Sequence, residues 1–87
     1  MSAPLRRDAR CWVYIVRCAD GTYYTGYTSH LRERIRLHNA GRGAKYVRGR
    51  GPVRLVYAKA FRSFRHAARE EYRLKQLRRA QKAALIR

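Results

Sequence analysis

At 87 residues the chain has room for one small domain, and its 46% hydrophobic content is enough for a core and too high for a disordered basic tail. Twenty-two Lys and Arg stand against five Asp and Glu, a formal charge of +17. Such a surplus repels itself, and a polyanion relieves it. Nucleic acid returns counterion entropy for each neutralised phosphate, whereas an anionic membrane needs a basic face backed by bulky apolar residues, which no segment supplies.

Eighteen of the cations are Arg, whose planar fork matches a phosphate. Residues 1–10 (MSAPLRRDAR) are polar, basic and aperiodic and read as a flexible arm, charged where a signal peptide is apolar. The longest apolar run, Cys11 to Val16, is far short of the roughly 20 residues that cross a bilayer. The expected setting is therefore cytoplasmic, in association with the nucleoid.

The segment from Cys11 through Trp12, Val13, Tyr14, Ile15, Val16 and Arg17 to Cys18 is rich in β-branched and aromatic residues. It is apolar at both alternating sets of positions, the pattern of a strand covered on both sides. Extended, it holds its two cysteines about 23 Å apart, too far to bridge, so both read as buried thiols of a reducing compartment. Asp20-Gly21 breaks the run and residues 22–27 (TYYTGY) resume it, which predicts a hairpin. With a two-residue type I′ turn, Tyr24 lies opposite Arg17, and Tyr14 and Tyr24 face opposite sides. With a three-residue loop and Gly21 left-handed, Tyr24 lies opposite Val16, Tyr14 opposite Gly26, and both tyrosines share a face. Turn chemistry alone leaves both open.

Thr28 or Ser29 can cap a helix over His30–Ala40 that Gly41 ends. Residues 41–52 (GRGAKYVRGRGP) hold four glycines and four cations, with one helical turn expected at Ala44–Val47. Val53–Ala58 alternates as a third strand, Ser63 can cap a second long helix from Phe64 to about Arg78, and Ala80–Arg87 reads as a short final helix. The order β-β-α-β-α-α predicts an α+β fold, a small three-stranded antiparallel sheet flanked by helices, in a single domain over residues 11–87.

Two of these helices carry polar residues near apolar faces. At about 100° per residue, Leu31 and Ile35 define the buried side of the first, with Arg34 about 60° and His38 about 20° to one side of Leu31. Arg34 has a plain reading as a snorkelling cation, and His38 as a core histidine satisfied by a carbonyl. On the second, Phe64, Ala67, Ala68 and Leu74 form the apolar arc, Glu70 sits at its edge and Glu71 near its middle. A carboxylate there is costly unless something cationic meets it. That leaves a salt bridge, with Arg34 a candidate partner, or a ligand in a Mg²⁺ shell completed by phosphate and water.

Taken as an ordered set, Val13-Tyr14-Ile15, Tyr24-Thr25-Gly26, Arg34 and His38 on one helix and Glu71 on a later one resemble a GIY-YIG nuclease domain across residues 11–78. The runs Tyr24–Gly26, Arg34–Asn39, Gly43–Lys45 and Glu71–Gln76 are most similar to the small stand-alone bacterial members of YhbQ type (UPF0213-like). The resemblance implies a metal-dependent DNA endonuclease using one divalent ion, Mg²⁺ or Mn²⁺, held by Glu71. It implies a catalytic set of Tyr14, Tyr24, Arg34, His38 and Glu71. Arg34 offsets charge on the phosphoryl oxygens, Tyr14 positions or deprotonates the attacking water, His38 is a rival base, and Tyr24 completes the hydrogen-bonding set. Gly26 is expected to clear space for the sugar-phosphate backbone. The chemistry also favours the three-residue loop, since it needs both tyrosines on the face that the helices bearing Arg34 and Glu71 cover. Val13 and Thr25 stand where the family name has Gly and Ile, and no Asn follows Asn39 where many members place one late in the domain.

Most relatives carry an extra DNA-binding domain, for which this length leaves no room. Affinity then falls to the chain's own charge and the glycine-rich loop, with Arg42, Lys45, Tyr46, Arg48 and Arg50 as substrate-binding residues and Tyr46 a candidate for stacking on bases. Phosphate contacts carry little sequence information, so DNA form (single strands, flaps or branches) is the expected basis of recognition, in DNA repair, recombination or processing. The alternatives are a DNA- or RNA-binding module without turnover and a basic protein associated with RNA or ribosomes.

Overall fold

A strand that is apolar on both sides needs a packed layer on each face, and that demand organises the fold. The computed structural model describes residues 11–86; the expected N-terminal arm, residues 1–10, lies outside them. Strand β1 (Cys11–Arg17) is the centre of a three-stranded antiparallel sheet of order β2-β1-β3, between β2 (Tyr23–Thr28) and β3 (Arg54–Phe61). Tyr14, Val16 and Cys18 point to one core, shared with Leu31 and Ile35 of α1 (Leu31–Asn39) and with Val47 and Val53. Cys11, Val13 and Ile15 point to the other, against Ala67 and Leu74 of α2 (Phe64–Lys75) and the partly buried Leu85 and Ile86 of α3 (Arg79–Ile86). Both cysteines are buried free thiols. Among the described residues no helix is long and apolar enough to cross a membrane.

The hairpin takes the longer of the two loops. Cys18 N donates to Thr22 O at 2.8 Å, Gly21 N donates to Cys18 O at 2.9 Å, and Gly21 is left-handed at φ 86°. Tyr14 therefore pairs with Gly26 and Val16 with Tyr24, so the two tyrosines share a face. Helix α1 ends as expected in a Schellman turn: Gly41, at φ 74°, donates to His38 O and Arg42 N donates to Leu37 O. Its start differs, because His30 occupies the cap and the Thr28 hydroxyl accepts from His30 N ahead of the helix. Ser63 caps α2 by accepting from Arg65 N at 3.1 Å. Helix α2 stops at Lys75, short of the expected Arg78. Strand β3 extends to Phe61, which pairs with Cys11 at the far end of β1. The turn in the glycine-rich loop is a 3-10 helix, Lys45–Val47.

Two expectations are corrected. Phe64 is not part of the buried arc; it is 57% exposed and its ring meets that of Tyr27 edge-on, with centroids 6.0 Å apart. The helices bearing Arg34 and Glu71 do not cover the same face, since α1 lies over the tyrosine side and α2 over the Val13–Ile15 side. The two-sided strand requires this division, because stacking both helices on one face leaves Val13 and Ile15 in water.

Thr25 on β2 is 3% exposed, and its hydroxyl has no hydrogen-bond partner. A buried unsatisfied hydroxyl costs about 1–3 kcal/mol, so Thr25→Val is expected to raise the unfolding free energy by about 1 kcal/mol in urea titration at unchanged m-value. Equal or lower stability in the variant contradicts this assignment.

Candidate active site

The register and α1 together bring Tyr14 and His38 into contact in the interior. Leu31 and His38 are two helical turns apart on the same side of α1, and both are buried. Tyr14 is 1% and His38 2% exposed, and Tyr14 Oη lies 2.8 Å from His38 Nε2. The other ring nitrogen, Nδ1, accepts from the backbone N–H of Ala44 at 3.4 Å. A backbone amide can only donate, so Nδ1 is the bare nitrogen and the ring proton sits on Nε2. His38 thus donates to the Tyr14 oxygen and leaves the tyrosine's own proton free to go elsewhere.

Two glycines make this contact possible. A Cβ on Gly43 would overlap His38 Nδ1, so the loop can bring Ala44 N to the ring only with glycine there. A Cβ on Gly26 would lie 2.7 Å from Tyr14 Oη. Gly26 is buried, and the room it leaves is filled by Tyr14 itself, not left open for a sugar-phosphate as the sequence suggested. The roles of Gly43 and of the Ala44 amide were not assigned from the sequence. The Gly-Ala-Lys run at Gly43–Lys45 was the signal, but a backbone donor leaves no mark in side-chain chemistry.

Tyr24 forms the wall beside this pair. Its ring meets that of His38 edge-on at 5.6 Å and stacks on Tyr46 at 5.9 Å and 22°. Behind Tyr46 the loop is clamped. Arg50 lies 4.4 Å from the Tyr46 ring centre, donates from Nε to Tyr46 O, and pairs through Nη1 with Asp20 at 2.7 Å. The Thr22 hydroxyl and amide, followed by Arg50, hold the Asp20 carboxyl down at about 2. Arg48 donates to Gly43 O at 3.4 Å. Arg50 and Arg48, expected to bind substrate, thus have internal partners that shape the loop, though Arg48 stays exposed, as do Arg42, Lys45 and Tyr46. Asn39, unassigned by the sequence, ties the loop ends together by accepting from Val53 N at 2.7 Å and donating to Val53 O.

Burial pushes the Tyr14 phenol above its ordinary value. The Arg34 guanidinium opposes this as a hydrogen-bond donor and a charge, while Tyr24 and the Glu71 carboxylate reinforce it. Burial, with Arg34 adding to it, pushes His38 below its ordinary value, which keeps the ring neutral. Glu71, on α2, is near enough to this centre for its charge to act on Tyr14. Its side chain is 17% exposed, and its ion-pair partner is Lys75, one turn along α2 at 3.1 Å, not Arg34. No three His, Cys, Asp or Glu side chains cluster among the described residues. A lone, reachable carboxylate fits a hard ion that takes its remaining ligands from phosphate and water.

Residues 10–84 match the family described as GIY-YIG catalytic domain. The chain belongs to the GIY-YIG family, whose domain is characteristic of endonucleases. Its close relatives carry the name UPF0213. That of Halobacterium salinarum is 59% identical over 74 residues, covering 85% of this chain and 96% of its own. That of Oceanobacillus iheyensis is 51% identical over 79 residues, covering 91% of this chain and 92% of its own. The solution NMR structure of the UPF0213 protein BH0048 from Bacillus halodurans matches with a TM-score of 0.58 at 51% identity, over 87% of this chain and 81% of that one. The solution NMR structure of EF2693 from E. faecalis matches with a TM-score of 0.59 at 35% identity, over 86% and 80%.

The depressed His38 value has a consequence for stability. The unfolded ring takes up its proton near 6.5, whereas the folded ring resists it to lower pH. The stabilisation is complete above 6.5 and is lost as pH falls from there through the folded value, with a slope of at most about 1.4 kcal/mol per pH unit for one proton. Urea midpoints are expected to fall as pH goes from 7 to 5. Gly43→Ala, which displaces the ring toward water, is expected to be less stable at pH 7 by about 1–3 kcal/mol and to show a flatter pH response. An equally steep response in the variant contradicts the burial of His38 as its cause.

Proposed function

We propose that the protein is a metal-dependent DNA endonuclease in which Tyr14 is the general base. The observation that carries this reading is the hydrogen-bond chain from Ala44 N through His38 to Tyr14. It engages both imidazole nitrogens, which favours Tyr14 over His38 as the base. A phenolate on Tyr14 is then stabilised by His38 Nε2–H and by Arg34, the two donors that face it. Tyr14 is shielded from bulk solvent, so the water it activates arrives with the bound substrate.

Arg34, half-buried at the edge of the pair, offsets charge that builds on the phosphoryl oxygens. Tyr24 packs against Tyr14 and His38 and holds the wall at which the substrate docks. Mg²⁺ or Mn²⁺ held by Glu71 would polarise the scissile phosphate and stabilise the departing 3′ oxygen. Arg42, Lys45 and Tyr46 give the glycine-rich loop two exposed cations and a ring for the flanking strand. Contacts of this kind follow the backbone, so the substrate is recognised by form (single-stranded, flap or branched DNA) in repair, recombination or related processing, in the cytoplasm at the nucleoid.

The test is incubation of pure protein with single-stranded, duplex and branched DNA, and with RNA, with and without Mn²⁺. Glu71→Ala is expected to bind with a Kd within about twofold of the parent and to cut slower by about 10²-fold or more, the scale of losing one electrostatic stabiliser. Equal cutting by the variant places the chemistry elsewhere. The pH profile separates the bases. Tyr14 is raised, so its phenolate fraction and the single-turnover rate are expected to rise about tenfold per unit from pH 7 to 9. A rate that levels off at or below pH 7 points to His38 instead.

A further inference from the structure

The hairpin end of the sheet carries a group of arginines that the reaction centre does not use. From Cys11↔Phe61 to Ile15↔Tyr57 the β1–β3 register is regular, and it then slips by one residue, so that Val16 faces Leu55 and Arg17 faces Arg54. Without this bulge, Arg17 would face Leu55. The slip sets two guanidinium side chains directly opposite each other on neighbouring strands, an arrangement that repels.

A third cation joins them. On the other side, Arg17 pairs with Tyr23 of β2, and Arg79 of α3 lies 5.0 Å from the Tyr23 ring centre while donating from Nη1 to Gly21 O at 2.7 Å. Arg17 Nη2 and Arg79 Nη2 both come within 3.8 Å of the point a Cβ on Gly21 would occupy. Among the described residues no carboxylate is paired with these charges. The four carboxylates of the described residues are committed elsewhere, Asp20 to Arg50, Glu33 to Arg36, Glu70 to Arg73 and Glu71 to Lys75. Arg17 and Arg54 also border an open groove of about 370 Å³ with Cys18, Ala19, Pro52 and Val53.

We propose that Arg17, Arg54 and Arg79 form a second binding site, for the phosphates of a nucleic-acid strand that passes the hairpin end of the sheet outside the reaction centre. The site rests on the reading of nucleic acid as substrate. Arg79 is pre-oriented by its backbone acceptor and by the Tyr23 ring, so little side-chain freedom is lost when it meets a phosphate. The Arg17–Arg54 repulsion is a strain that a bound phosphate relieves. Each phosphate neutralised releases counterions, so the site adds to the salt dependence of binding.

The experiment measures anisotropy of a labelled 20-nucleotide single strand in EDTA across a salt series, so that binding is read without cutting. Arg17→Gln and Arg54→Gln are each expected to weaken binding about fivefold to tenfold at 100 mM salt and to lower the log–log salt slope by about 0.7. Arg36→Gln removes an exposed cation that Glu33 already pairs, and is expected to change affinity less than twofold. The melting temperature of Arg17→Gln is expected to equal or exceed that of the parent, which excludes misfolding as the cause of weaker binding. Equal losses in Arg17→Gln and Arg36→Gln, or no loss in either, overturn the site. Those results leave the nuclease reading intact. Conversely, a parent that binds through these arginines but never cuts overturns the nuclease reading and supports this surface.

Discussion

The hydrogen bond between Tyr14 and His38 is the interaction on which the rest of the arrangement depends. Both groups are almost fully buried, and at the phenol oxygen the His38 ring is joined only by the Arg34 guanidinium among the donors described. Burying a hydroxyl and an imidazole is costly unless each is satisfied. The surroundings meet that condition from three directions: Gly26 clears the position of the phenol, Gly43 clears that of the ring, and Ala44 N fixes which nitrogen holds the proton. What looks from the sequence like two separate motifs, one on a hairpin and one on a helix, is a single polar pair inside an apolar layer.

The same strand that carries Tyr14 decides how the remaining charges are distributed. Since β1 is apolar on both sides, α1 and α2 lie on opposite faces, while the Glu71 charge still acts on Tyr14. Arg34 and Glu71 therefore do not neutralise each other as a pair. One faces the phenol from the tyrosine side, and the other is held by Lys75 one turn along its own helix. In the proposed reaction a substrate phosphate and a hard cation would have one group each to meet. The high positive charge of the rest of the chain falls into two kinds. Arg50 and Arg48 are spent on shaping the glycine-rich loop, whereas Arg42 and Lys45 face solvent.

Much of the architecture was legible in the residues. The double apolar alternation of Cys11–Val16 predicted a central strand, and the Schellman turn at Gly41 and the Ser63 cap fell where their chemistry places them. The hairpin was only half legible. Asp20-Gly21 suits two loops, and the choice came from asking which register lets the tyrosines meet. What stayed hidden has a common cause: it depends on backbone atoms and on long-range packing. The Ala44 amide, the overlap that forbids a side chain at Gly43, and the slip in β3 leave no residue-type signature. The helices of Arg34 and Glu71 take opposite faces because the two-sided packing demand of β1 outweighs any gain from stacking them together.

The most direct measurement is the protonation pattern of the His38 ring by long-range ¹H–¹⁵N NMR correlation in uniformly labelled protein at pH 7. The expected result is a neutral ring with its proton on Nε2 and an unprotonated Nδ1 facing the Ala44 amide. A proton on Nδ1, or a doubly protonated ring, breaks the chain from loop to phenol and takes with it the case for Tyr14 as the group that activates water.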